Sequence, residues 1–269
     1  MDSNTLLLDV GGTYIKRSDG RNIPIDSNGS REVISAALQR AVSPLAGKEN
    51  ARLAVAIPGP FDYDSGTFLM KHKFASVYGC TFKEISGFEG EVKYIHDVNC
   101  MLMGALKNPE FEEYSRVALI TIGTGLGFAY SIDGQIQCTP QGSPAVSLYN
   151  RPYKGKTAED FVSKRGIMDA WCRAFKEPWP EDQTVADIAN TVTGEGIFSH
   201  MGACLGEIAC PVLKKLEIEC LLLGGQISKS FYRFNETLAI TLVDSDIRLM
   251  TKLPNIDTAT FDGLKALLR

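Results

Sequence analysis

In the stretch YIHDVNC (residues 94–100) an acidic residue, Asp97, stands where a short β-type run, Glu91–Ile95, gives way to an apolar stretch with helical spacing. A carboxylate at such a junction has two uses. It can accept hydrogen bonds from the free N–H groups of the first helical turn and cap the helix. It can also act as a base displayed at the carboxyl end of a sheet, where open α/β folds bind ligands. The seven residues leave both uses open.

Three glycine turns raise the same choice. DVGGTYIK (residues 9–16) has Asp9 at a strand end, then Gly11, Gly12 and Thr13. Glycines let backbone N–H groups approach an anion without a Cβ in the way, and Thr13 can donate to a phosphate oxygen. Asp9 repels phosphate unless a divalent cation bridges them, so the set makes sense as a magnesium–nucleotide site. A plain hairpin turn with a capping Asp fits the same residues. TIGTGLG (residues 121–127) repeats the device with Gly123, Thr124 and Gly125, able to cradle further phosphates or simply to form a glycine-rich hairpin. Its third glycine comes too early for a dinucleotide fingerprint, and FAYSI after it reads as a strand rather than a helix. In LLLGGQIS (residues 221–228), Gly224 and Gly225 leave room for a flat adenine against the backbone. The alternative is a tight strand–helix turn with Ser228 as N-cap.

Elements must hold these residues in place. Thr5–Val10 and Arg52–Ile57 read as buried strands, the second stopped by Pro58-Gly59-Pro60, with a hairpin of Tyr14–Arg17 and Asn22–Ile25 between them. Helical spacing covers Glu32–Val42 and Asn99–Leu106. The pattern then restarts with strands Arg116–Ile122 and Phe128–Ile132. A long irregular stretch follows, Cys138 to Thr157, and then helices over Ala158–Phe175, Val185–Thr191 and about Ile197–Leu216. Glu219–Leu223 returns as a buried strand, followed by helices over Phe231–Leu242 and Phe261–Leu268. Two halves that each open with strand, glycine turn and strand predict duplicated α/β domains, 1–112 and 113–269, with the last helix packing back on the first.

Composition narrows the function. The chain is 44% hydrophobic and 22% charged, with net charge −4 and no basic stripe, which argues against a nucleic-acid partner. Seven scattered cysteines without a C-x-x-C pair suggest neither a zinc knuckle nor a disulfide framework, and a reducing cytoplasm fits them. No secretory leader is visible, and no run approaches the roughly 20 apolar residues of a membrane span.

Asp-x-Gly-Gly-Thr, Gly-Thr-Gly-x-Gly and Leu-Gly-Gly-x-x-Ser, in that order, resemble the phosphate-1, phosphate-2 and adenosine segments of the sugar kinase/actin/Hsp70 ATPase superfamily. AIPGP (residues 56–60) and the HDVN tetrad narrow the resemblance to the ROK family of bacterial sugar kinases and repressors. The resemblance implies two ribonuclease H-like (actin-like ATPase) domains with an interdomain cleft that closes over a sugar. It implies a glucokinase-like enzyme moving the γ-phosphate of ATP to a hexose hydroxyl, with Asp97 as general base and Asp9 orienting magnesium through water. Gly11, Gly12, Thr13, Lys16, Gly123, Thr124, Gly125, Gly224, Gly225 and Ser228 then form the nucleotide set. His96, Asn99, Glu159, Lys73, Pro58 and Gly59 form the sugar set, and a homodimer is favoured.

Two departures stand out. The family's zinc-binding cysteine cluster is missing, since residues 138–158 hold only Cys138, so no metal but magnesium is expected and the sugar loop needs another support. The Asn that usually precedes the catalytic Asp is His96 here, which bears on sugar identity. A sugar-sensing ROK regulator, or a sugar-binding protein without catalysis, is the rival reading. With the phosphate-1 strand at the start of this sequence, no DNA-binding domain is expected ahead of it, and the kinase is expected over the regulator.

Overall fold

The computed structural model describes residues 3–269. The chain forms two compact units, each α/β. The first comprises residues 1–107 together with two later returns, 138–145 and 258–269, and the second comprises 108–137 and 146–257.

In the first unit a five-stranded sheet runs in the order Asn22–Pro24, Tyr14–Arg17, Thr5–Val10, Arg52–Ile57, Glu91–His96. The first three strands are antiparallel and the last three parallel. Parallel strands covered on both faces read as continuous apolar runs, as in LLLDV and RLAVAI. Asp9 lies opposite Ala56, and Ile57 opposite His96, so Gly11, Pro58 and Asp97 all leave the same carboxyl edge. One face is covered by the helix Arg31–Val42, capped by Ser30, which buries Ile34, Ala37, Leu38 and Ala41. The other is covered by the helices Asp97–Ala105 and Ala259–Leu267, around Leu7, Ala54, Cys100 and Leu264. These two helices approach closely because Gly263 faces Cys100: a Cβ on Gly263 would sit 1.8 Å from the Cys100 carbonyl oxygen.

The second unit repeats the design in the order Gln135–Ile136, Leu126–Ile132, Arg116–Ile122, Cys220–Gly224, Leu249–Lys252. Gly224 lies opposite Thr121, so both glycine turns leave one edge of this sheet. Its core is built by helices Lys164–Phe175, Val192–Lys215 and Asn235–Thr241.

Several elements differ from the sequence expectation. The helix after Asp97 starts at Asp97 itself. The stretch expected to be irregular contains the hairpin Pro152–Tyr153/Lys156–Thr157. The helix expected over 158–175 divides into a 3₁₀ turn, Ala158–Asp160, and a helix from Lys164, because Ser163 leaves helical geometry to cap the latter. The helix expected from Ile197 begins at Val192, where Thr191 Oγ1 accepts the Gly194 N–H. This helix also corrects the statement that no segment approaches a membrane span. By length and composition it is apolar enough, with mean hydropathy 1.3, but Phe198, Met201, Leu205 and Ala209 are buried in the second unit's core. The helix expected over 231–242 is instead the end of a 3₁₀ run, Gln226–Arg233, followed by the helix Asn235–Thr241. Strand Leu249–Lys252, half exposed at the sheet edge, carried no sequence signal.

Candidate functional site

Asp9 lies one residue before the end of the central strand of the first sheet, and antiparallel register brings Lys16 beside it, Nζ to Oδ2 3.3 Å. Burial pushes the Asp9 carboxyl up, Lys16 opposes this, and the negative charge of Asp97 reinforces it. The backbone of Gly11 is fixed by its N–H donating to Tyr14 O at 2.9 Å, and Thr13 is exposed.

Asp97 is the first residue of its helix. Its Oδ1 accepts the Val98 N–H at 2.7 Å and lies 2.9 Å from His96 Nδ1, while the side chain is 37% exposed. The N-cap is His96, and the carboxylate, one residue on, both takes a first-turn N–H and meets solvent. Burial works against its charge, but His96, the Val98 N–H and the charge of Lys73 outweigh it and hold the carboxyl below its ordinary value. Lys73 is half-buried, and the neighbouring His72 is exposed.

Asn99, two residues on, is fully buried. Its Nδ2 donates to Gly142 O and Cys138 Sγ, both at 3.2 Å. Tyr63 holds the same segment, since its N–H donates to Gln141 O at 3.2 Å and its side chain lies against Gly142. The Tyr63 hydroxyl is fastened to Ile57 O at 2.9 Å. Burial first, then the charge of Asp97, keeps this phenol protonated and a donor. Segment 138–145 is thus tied to the helix of Asp97 by side chains. Tyr63 was missed from sequence because nothing in FDYD distinguishes a tyrosine that packs on a distant loop.

In the second unit the turn at 123–127 is closed by Gly123 N–H donating to Gly125 O at 3.0 Å, and Thr124 is exposed. Glu159 reaches this turn: its Oε2 accepts the Leu126 N–H at 3.0 Å. Ser163 donates to Glu159 O at 2.7 Å and so fixes the residue's backbone. Gly225 has φ +80°, and a Cβ there would lie 2.4 Å from Ile122 O, so only glycine lets this turn pack against the strand that leads into Gly123. Ser228 is buried and donates to Gly224 O at 2.6 Å; it stitches the turn rather than acting as the N-cap.

The first unit thus gathers Asp9, Gly11, Gly12, Lys16, Gly59, Lys73, His96, Asp97 and Asn99. The second gathers Gly123, Thr124, Gly125, Glu159, Gly224, Gly225 and Ser228. Among the described residues no three His, Cys, Asp or Glu side chains form a metal-binding group. A recess of about 710 Å³ lined by Lys48, Arg52 and Glu91 lies at the amino ends of the first unit's strands, the edge opposite Asp97.

A fold with two hairpin-plus-parallel sheets, each ending in glycine turns at its carboxyl edge, is the actin-like ATPase fold of sugar kinases. A sequence model of the ROK family matches residues 8–146, and the chain belongs to that family. It is 31% identical over 85 residues to an N-acetyl-D-glucosamine kinase of Yersinia enterocolitica, a match spanning 31% of this chain and 28% of that protein. A ROK family glucokinase from Streptomyces griseus in complex with glucose and AMPPNP superposes with TM-score 0.77 at 17% identity, covering 98% of each chain. A ROK hexokinase from Thermus thermophilus gives 0.68 at 16% identity over 98% of this chain and 97% of that one. A ROK family transcriptional regulator, a homologue of the E. coli MLC protein, gives 0.72 at 17% identity over 98% of this chain and 80% of that one. Kinases and a regulator share the fold, so activity has to be argued from the site.

Proposed function

We propose that the protein is a cytoplasmic, ATP-dependent sugar kinase that transfers the γ-phosphate of ATP to a hexose hydroxyl, with Asp97 as general base. The observation that carries this reading is the setting of Asp97: part exposed, its Oδ1 accepting the Val98 N–H at 2.7 Å with His96 Nδ1 at 2.9 Å, and its carboxyl held below the ordinary value. Phosphoryl transfer asks a protein mainly for positioning and charge neutralisation, plus one group to orient and deprotonate the nucleophile. A carboxylate already ionised in the working pH range accepts that proton as the oxygen–phosphorus bond forms.

Asp9 suits a hydrated magnesium ion. Burial, with the charge of Asp97 beside it, raises the Asp9 pKa more than Lys16 lowers it, so a cation there would favour the ionised carboxylate, and a single carboxylate matches an ion that keeps most of its water. Magnesium bound with ATP supplies charge neutralisation on the phosphates. Gly11, Gly12, Thr13 and Lys16 offer phosphate contacts in the first unit, and Gly123, Thr124 and Gly125 in the second. Gly224 and Gly225 offer the adenosine surface that Ser228 holds in shape. Lys73, Pro58, Gly59 and Glu159 are assigned to the sugar side, His96 stands against Asp97, and Asn99 holds segment 138–145 for the sugar.

The test is a coupled assay of ADP release over a panel of hexoses and amino sugars, with glucose and N-acetyl-D-glucosamine in it. Turnover that depends on one sugar and on magnesium is expected. No phosphorylation of any sugar, together with sugar binding by calorimetry, would establish a non-catalytic sensor instead. Light scattering of the same sample measures whether the proposed homodimer forms.

A further inference from the structure

The helix start at Asp97 holds one hydrogen too few for the geometry around it unless His96 supplies another. The Val98 N–H lies 2.7 Å from Asp97 Oδ1 and 3.3 Å from His96 Nδ1, and the shorter bond, to a charged acceptor, takes the hydrogen. Nδ1 and Oδ1 then face each other at 2.9 Å. A neutral imidazole has one protonated and one bare nitrogen. A bare Nδ1 would turn its lone pair on a carboxylate oxygen, which is repulsive, so Nδ1 carries a proton.

We infer that His96 is a positioning residue for Asp97, donating Nδ1–H to Oδ1 and so fixing the rotation of the carboxylate. Oδ1 takes both hydrogen bonds, and among the described residues Oδ2 takes none, so Oδ2 is the atom left to receive a proton. The imidazole is itself held. Its edge lies against Gly59, where a Cβ would stand 3.4 Å from Cδ2, and its ring is 5.9 Å from that of Tyr63. His96 then serves the reaction through Asp97 and not as a contact to the sugar.

The chemistry of the side chains supplies the test. The amide nitrogen of Asn reaches where Nδ1 stands, whereas that of Gln reaches toward Nε2. H96N therefore keeps a donor for Oδ1, and H96Q and H96A do not. Long-range ¹⁵N–¹H spectra of the full-length protein without ligands resolve the tautomers of its three histidines, and the signal missing in H96N is His96. A proton on Nδ1 of His96 is expected, and a bare Nδ1 overturns the inference. This arm does not depend on the kinase reading; the kinetic arm rests on it. There, H96Q is expected to lower kcat about 10- to 100-fold with sugar KM nearly unchanged, as misplacement of a reacting group does, and H96N to recover most of the loss. Equal kcat in H96N and H96Q, or a raised KM with kcat intact, makes His96 a sugar contact and overturns the proposal. Should H96A fail to fold, the comparison of H96N with H96Q stands alone. If wild type phosphorylates no sugar, the kinase reading falls while the spectrum still decides the tautomer.

Discussion

At the scale of single residues, the two carboxylates of the first unit are pushed in opposite directions by their surroundings. Asp97 is held below its ordinary value and Asp9 above it, and each charge disfavours the other. Asp97→Asn removes the base while keeping size and one acceptor. Turnover should fall by about 100-fold or more with sugar KM unchanged, read from initial-rate kinetics. The sign of the stability effect differs between the two groups. Asp97, with a lowered folded pKa, stabilises the fold fully above its unfolded value near 3.8 and loses that contribution as pH falls through the lower folded value. Asp9, with a raised folded pKa, costs stability at neutral pH. Asp9→Asn should therefore raise Tm by a few degrees in a thermal melt at pH 7 while lowering magnesium-dependent turnover, the trade between stability and function expected of a strained site.

At the scale of elements, the helix Asp97–Ala105 does three things at once. Its first residue carries the carboxylate, its third tethers segment 138–145, and its outer face receives the helix Ala259–Leu267. Asn99→Ala would leave the Gly142 carbonyl without its donor, costing about 1–3 kcal/mol. Hydrogen exchange should then rise first across residues 138–145, and unchanged exchange there would refute the tether. Gly263→Ala sets a methyl 1.8 Å from the Cys100 carbonyl oxygen, so the helix pair must separate. Urea denaturation should show a loss of about 1–3 kcal/mol or more, the range of overpacked cores.

At the scale of the whole molecule, the first unit is discontinuous in sequence: its sheet comes from the first 96 residues, yet one face is closed by residues 258–269. A chain ending at Asp257 would expose Leu7, Ala54 and Ala56 and lose the partner of Cys100. Exchange protection should collapse in strands Thr5–Val10 and Arg52–Ile57 and persist in Arg116–Ile122 and Cys220–Gly224. Equal protection in both sheets would show that the last helix is dispensable.

Sheet strands and glycine turns were legible because their signals are local. Apolar runs such as LLLDV and RVALITI bury themselves on both faces, and glycine pairs break them wherever they stand. The order of three such turns was enough to name a fold and to single out Asp9, and the HDVN tetrad singled out Asp97. What the chain alone left open was the state of those residues. Whether Asp97 served the helix start or faced a substrate depended on its surroundings, and Oδ1 accepts the Val98 N–H at 2.7 Å with His96 Nδ1 2.9 Å away while the side chain stays part exposed. The support of segment 138–145 by Asn99 and Tyr63 joins residues roughly 40 to 80 positions apart. No spacing rule reaches that far, because hydrogen-bond partners and desolvation are set by the atoms that packing brings together.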